Sequence, residues 1–149
     1  MSEILVNQGR YIKTAEPPCG SNGLGTCVGV AILHNSHWFI AHIDSEAIVK
    51  NKTKDPMFQK VSNYVKSRLD HLLGTCNLSN DVHIIGGLND FSAQAIDQGI
   101  VAWVNSTVQI HKHNWDGFKI VNGNQFEKLR HEANNCDGDG DFSVPKDPT

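Results

Sequence analysis

The 149-residue chain lacks any apolar run near the ~20 residues that a membrane-spanning helix needs, so none is expected. Basic residues are never dense. Thirteen Lys and Arg stand against sixteen Asp and Glu, for a net charge of −3. That balance counts against nucleic acid or an anionic membrane surface as the principal partner. The nearest approach to a basic cluster, Lys50, Lys52 and Lys54, reads as a solvated loop. The four cysteines, Cys19, Cys27, Cys76 and Cys136, include no Cys-x-x-Cys pair, so a zinc site of that spacing is excluded. They do not form a staple pattern either, and a chain this long can bury a real core without disulfides. The compartment therefore reads as reducing. No positively charged segment followed by an apolar core opens the chain, so no signal peptide is expected. The location expected is cytoplasmic, or that of an exported effector working in the cytosol of a host or rival cell. No internal repeat is visible, and length and composition point to one domain.

What the chain does have is concentrated between Gly20 and Asp44. A glycine-rich stretch, Gly20 to Gly25, runs into Thr26 and Cys27, then into the apolar run Val28 to Leu33. After His34-Asn35-Ser36-His37 comes a second apolar run, Trp38 to Ile43, which carries His42. The four intervening residues read as a hairpin loop. If Leu33 pairs with Trp38, Cys27 falls opposite Asp44 and His42 is its diagonal neighbour on the same face. Such neighbours lie roughly 7–8 Å apart, and Gly29 and Ala31 on that face leave room for the imidazole. A one-residue slip would separate thiol and imidazole onto opposite faces.

A histidine beside a cysteine can take the thiol proton and release the thiolate, the reactive nucleophile. N–H groups of the glycine loop, those of Gly25 and Thr26 included, are placed to face a developing oxyanion. The plainer reading is that Cys27 is simply a buried cysteine and that the glycines only turn the chain. The catalytic reading expects the thiol to be presented on the loop rather than in the core.

The run Ser21-Asn-Gly-Leu-Gly-Thr-Cys27 resembles the signature of the chemoreceptor glutamine deamidases, the CheD-like enzymes. There a threonine stands six residues before the cysteine and a histidine lies on the next strand. Ser21 occupies the threonine place, and either residue offers a hydroxyl. Cys27 occupies the nucleophile place and His42 the base place. The lethal-factor deamidase toxins use a similar set. The layout is also similar to that of the protein N-terminal asparagine amidohydrolases. These show Thr-Cys on a strand, His-x-Asp on the next, and later a Val-His-aliphatic-aliphatic-Gly-Gly segment. This chain has Thr26-Cys27, His42-Ile43-Asp44 and Val82-His83-Ile84-Ile85-Gly86-Gly87 in that order. The resemblance spans residues 20–104. It implies a CheD-like layered sandwich and a cysteine amidohydrolase that needs no cofactor.

Elsewhere, 3–6 and 11–14 read as short strands, and Pro17-Pro18 as a break. Asp55-Pro56 opens a helix over 56–73 with Phe58, Val61, Val65, Leu69 and Leu72 as its apolar stripe and Gly74 as its stop. His71 belongs to its last turn. Residues 81–85 read as a strand closed by Gly86-Gly87, with His83 as a structural histidine. A second helix is expected over 90–104, weakened at Gly99. Strands follow at 107–111 and 118–121, Asn122-Gly123 signals a turn, and 125–130 is a short strand or helix. His111 and His113 share a face and, with His131, raise a metal reading, but no further ligand stands at a recognisable spacing, so no metal is expected. Asp137-Gly-Asp-Gly-Asp141 fails as a calcium loop at Phe142 and Pro148. The chain is therefore divided into a domain over 1–132 and a flexible acidic tail over 133–149.

The fold class expected is α+β: a layered sandwich of mixed β-sheet with flanking helices. The function expected is a cysteine-dependent deamidase that hydrolyses a glutamine or asparagine carboxamide of a protein or peptide substrate. Cys27 attacks, His42 is the base, and Ser21 or Asp44 orients it. A cysteine peptidase or transglutaminase could use the same set, and an idle protein-binding module could keep the same fold.

Overall fold

The computed structural model describes residues 3–76, 81–105, 107–122, 124–129 and 137–149. Its centre is the hairpin of β4 (Val28–His34) and β5 (His37–Ser45), paired antiparallel with Leu33 against Trp38 and Gly29 against His42. The connection is tighter than the four-residue loop expected, because His34 and His37 form the last ladder pair. Only Asn35 and Ser36 turn, with φ of 52° and 67°. Two consecutive positive φ values are the mark of the type I′ hairpin, whose twist matches that of the strands.

Around the hairpin, the larger sheet runs β10 (Gly140–Asp141), β2 (Arg10–Ala15), β5, β4, β6 (Val82–Ile85), β7 (Ile110–His113), with β11 (Ser143–Val144) also on β5. The smaller sheet runs β1 (Ile4–Leu5), β3 (Cys19–Ser21), β8 (Phe118–Val121), β9 (Gln125–Lys128). The larger sheet is mixed: β4 is antiparallel to β5 and β6, while β6 and β7 are parallel. The β6–β7 connection holds a helix, as a parallel pair requires.

Strand alternation divides the interior in two. Val28, Val30, Ile32, Phe39, Ala41 and Ile43 face the helices α1 (Pro56–Leu73) and α2 (Phe91–Trp103). Cys27, Ala31, Trp38, Ile40 and Ile85 face the smaller sheet and meet Cys19, Leu24, Phe118 and Ile120. The result is α+β, three layers deep, with both helices on one face of the larger sheet. Among the described residues no helix is long and apolar enough to cross a membrane.

The helices follow their local signals. The Asp55 carboxylate accepts a hydrogen bond from the Met57 N–H at 2.9 Å, and Gly74 ends α1 at φ 79°. Asp90 caps α2 through the Ala93 N–H at 2.8 Å. Gly99, read as a weak point, is where the helices touch. A Cβ there would lie 2.5 Å from the Ser62 carbonyl oxygen and 2.8 Å from Val65 Cβ. Beside this contact the Ser62 hydroxyl donates to the Ala95 carbonyl at 2.8 Å.

Three further expectations need correction. Gly20 and Ser21 belong to β3, where Cys19, Gly20 and Ser21 pair with Ile120, Lys119 and Phe118, so the loop proper is confined to 22–27. Strand β7 starts at Ile110 rather than at Thr107. The third concerns the end of the chain. Asp137–Val144 is not a flexible tail: it pairs with β2 and β5, and Phe142 and Val144 are fully buried against the helix layer. Its order comes from main-chain hydrogen bonds and two apolar anchors, which a composition-based reading undervalues. Gly123 of the expected turn, His131 and Cys136 lie outside the described residues, although β8 and β9 pair as the turn implies.

At the far end of the inter-sheet layer, aromatic and imidazole rings stack. His83 lies 3.7 Å from Phe126, 4.7 Å from His111 and 5.2 Å from His113, centroid to centroid, and Trp115 covers His113 at 4.3 Å. His83 Nδ1 and His113 Nε2 are 3.0 Å apart, so one ring donates and the other must stay unprotonated there. Burial, with the neighbouring His111 and His113, pushes His83 down to about 4. His113 is lowered too, first by burial and then by His111. A depressed folded-state pKa means that the unfolded chain binds the proton first. The stabilisation is therefore complete above pH ~6.5, the ordinary histidine value, and is lost as pH falls toward about 4. Urea unfolding between pH 7 and 4.5 should show stability falling with acidity, and His83→Phe should flatten that slope. An unchanged slope in the variant would assign the pH dependence to other groups.

Candidate functional site

His42 sits mid-strand on β5, between Arg10 of β2 and Gly29 of β4, and is 1% exposed. As an even-numbered residue of β5 it points between the sheets, where β3 presents Ser21, itself fully buried. His42 Nδ1 and Ser21 Oγ are 2.7 Å apart, and the Ser21 hydroxyl donates to the Val6 main-chain carbonyl at 2.6 Å. A serine has one hydroxyl proton. With it committed to Val6, the contact to His42 must be Nδ1–H donating to Ser21 Oγ. The neutral ring then carries its lone pair on Nε2. That atom is buried and has no hydrogen-bond partner among the described residues.

Cys27 occupies the same face. It immediately precedes β4, and the observed ladder, extended by one residue, sets it against Asp44. It is 4% exposed and packs with the inter-sheet core, so the thiol is not displayed on the loop as the catalytic reading expected. Leu24 explains the difference. It is fully buried, pinned by its N–H to the Asp116 carbonyl at 2.7 Å, and it draws the glycine loop down over the strand end. The room foreseen over Gly29 is also taken. A Cβ there would meet Leu24 Cδ1 at 2.9 Å and Phe118 Cε1 at 3.2 Å. On the other side of the loop, Gly25 and Thr26 are exposed, and nothing lies within 4 Å of the position a Gly25 Cβ would take.

Burial controls the electrostatics. Desolvation, then the negative charge of Asp44, pushes the Cys27 thiol up to about 11; Asp90 adds to this, and a Thr26 side-chain hydrogen bond works the other way. Desolvation pulls His42 down to about 4 against the opposing influence of Asp44. The resting pair is therefore a neutral thiol and a neutral imidazole. Asp44 shares the face but is not the group on Nδ1. Its Oδ2 accepts from Gln8 Nε2 at 3.2 Å, while its Oδ1 is buried with no hydrogen-bond partner among the described residues.

Ser21 and His42 are thus in direct contact, Cys27 and His42 share a face, Asp44 acts at a distance by charge, and Gly25 and Thr26 line the open side. Three contributors escaped the sequence reading. The Val6 carbonyl is main chain and leaves no side-chain signal. Asp90, which caps α2, could be placed only once α2 was docked. Gly86, at φ 145°, lies where a Cβ would come 3.1 Å from the Cys27 carbonyl oxygen. The sequence reading uses it only to close the strand over 81–85. Among the described residues no group of three or more His, Cys, Asp or Glu is disposed to hold a metal ion. His111 is engaged by Asp81 at 2.8 Å and His113 by His83.

No protein-family model matches the chain, and no curated protein matches it.

The neutral pair sets an expectation for reactivity. Alkylation of Cys27 by iodoacetamide, followed by peptide mass mapping, should rise about tenfold per pH unit from pH 6 to 9 without a plateau, since only the thiolate reacts. A plateau across neutral pH would reveal a preformed thiolate–imidazolium pair instead.

Proposed function

We propose that the protein is a cysteine-dependent deamidase that converts a glutamine or asparagine carboxamide of a protein or peptide substrate to the acid. The observation that carries this reading is the state of His42. Its Nδ1 proton is held by Ser21, its Nε2 has no hydrogen-bond partner among the described residues, and its place on β5 puts the ring on the face that Cys27 occupies.

In the reaction, Cys27 Sγ bonds to the amide carbon as its proton passes to His42 Nε2. Transfer on attack suits a pair that is neutral at rest. Main-chain N–H groups of Gly25 and Thr26, in the loop that leads directly into Cys27, stabilise the tetrahedral oxyanion. The C–N bond breaks, Nε2 returns the proton to nitrogen, and ammonia leaves behind a thioester. Water, deprotonated by the same Nε2, hydrolyses it to the carboxylic acid and the free thiol. No cofactor enters. A reducing cytosol, the cell's own or another's, keeps the thiol available.

A second reading, an idle binding module, is favoured by one observation: the thiol is buried and pushed up to about 11. Intact-mass analysis of candidate proteins incubated with the wild type separates the two. A gain of about one dalton per site, absent with Cys27→Ser, is the expected result, as an amide becomes an acid. Cleavage or cross-linking of the substrate would move the assignment to a peptidase or a transglutaminase. No change in any candidate would favour the idle module.

The orienting role of Ser21 makes its own prediction. Ser21→Ala should lower kcat/KM at least about tenfold, roughly 1.4 kcal/mol. Asp44→Asn should cost less and leave the basic limb of the pH–rate profile in place. The reverse order of effects would make Asp44 the orienting group.

A further inference from the structure

We infer that the C-terminal segment Asp137–Val144 is a strap that positions the site, and that Asp137 is the residue through which it holds the His42 tautomer. The inference takes the Cys27–His42–Ser21 site as read above and adds residues that reading does not use.

The Ser21–His42 hydrogen bond joins the two sheets, since Ser21 is on β3 of the smaller and His42 on β5 of the larger. Its length therefore depends on how the sheets are held at this end of the sandwich. Its direction depends on the Val6 carbonyl, which takes the Ser21 proton. Val6 follows a strand of only two residues, paired with β3 on one side. On the other side stands Asp137. Its N–H donates to the Leu5 carbonyl at 3.0 Å, and its carbonyl accepts from the Asn7 N–H at 2.7 Å. Its carboxylate accepts from the Leu5 N–H at 2.9 Å. These three bonds bracket Val6, and they fix where its carbonyl points.

From there the chain crosses to the larger sheet. The Asp139 N–H donates to the Tyr11 carbonyl at 2.7 Å, Gly140 pairs with Tyr11, and the Phe142 N–H donates to the Gly9 carbonyl at 2.7 Å. Gly9 in turn donates its N–H to the carbonyl of His42 at 2.7 Å. Ser143 and Val144 then pair with Asp44 and Ser45, two and three residues beyond His42. Phe142 and Val144, fully buried, anchor the segment in the helix-side core. One continuous stretch thus grips the acceptor of the Ser21 proton on one sheet and the strand of His42 on the other.

The test uses the full-length chain and reads the His42 ring directly. In the wild type, imidazole 15N shifts at pH 7 should report the proton on Nδ1. Asp137→Pro removes both the carboxylate and the N–H, and Asp137→Ala removes the carboxylate alone. Both should shift His42 toward a mixture of tautomers, the first more than the second. Each should lower kcat by at least about threefold, with KM less affected, because the ring and not the substrate is misplaced. Asp137→Asn keeps an acceptor for Leu5 and should restore wild-type behaviour. Asp141→Ala breaks the exposed Arg10–Asp141 ion pair on the same strap and should leave the ring unchanged. Should the proline variant fail to fold, Asp137→Ala decides. A folded Asp137→Ala or Asp137→Pro variant with a wild-type tautomer would overturn the inference. So would an Asp141→Ala variant that perturbs His42 as strongly as the Asp137 variants do. The 15N readout needs no turnover, so it separates failure of the strap from failure of the deamidase reading.

Discussion

The β4 and β5 ladder is buried on both faces, and its register cannot slip by one residue. A slip would drive Val28, Val30 and Ile32 toward the smaller sheet and turn Cys27 and Ala31 into the helix layer. Because both layers are close-packed, exchanging large and small side chains between them would leave cavities on one face and overpacking on the other, the latter typically costing ~1–3 kcal/mol at each site. The helices, the second sheet and the site all inherit their places from this register. Gly29 opposite His42 is one consequence: with no side chain there, Leu24 and Phe118 close directly over the strand beside the imidazole.

That closure decides the electrostatics. Water is excluded around Cys27 and His42, so each neutral form is favoured, the thiol rising and the imidazole falling. Asp44 deepens this for the thiol and opposes it for the imidazole. The carboxylate therefore does not assemble an ion pair at rest. What remains is a directional arrangement, Nδ1–H to Ser21 and Ser21 to Val6, with Nε2 unpartnered among the described residues. A hydroxyl linked to a main-chain carbonyl sets a tautomer without adding charge to a dry interior, where an extra unpaired charge would be costly.

The end of the chain shows how a polar, glycine-containing segment becomes part of a core. Asp137 to Val144 contributes few apolar atoms, yet it supplies donors and acceptors to the otherwise open edges of β1, β2 and β5. Edge strands leave such groups unsatisfied unless something covers them. The segment answers that need while Phe142 and Val144 supply the burial. Its acidic side chains look outward to Arg10 or cap main-chain N–H groups, as Asp141 and Asp137 do.

Local rules were enough for the hairpin register, α1 with its Asp55 cap and Gly74 stop, and the placing of Cys27 and His42 on one face. Each rests on periodicity or on a cap, which neighbours in sequence determine. The α+β class followed from the antiparallel hairpin beside two amphipathic helices. The sequence left the third member of the site open between Ser21 and Asp44. Only the second sheet resolved which of them meets Nδ1, because Ser21 reaches it across the gap between sheets. The burial of Cys27, the packing role of Gly99, the Val6 carbonyl and the ordering of 137–144 were likewise decided by the tertiary structure. All depend on residues distant along the chain arriving at one place, and main-chain groups carry no residue code by which such an arrival could be read in advance.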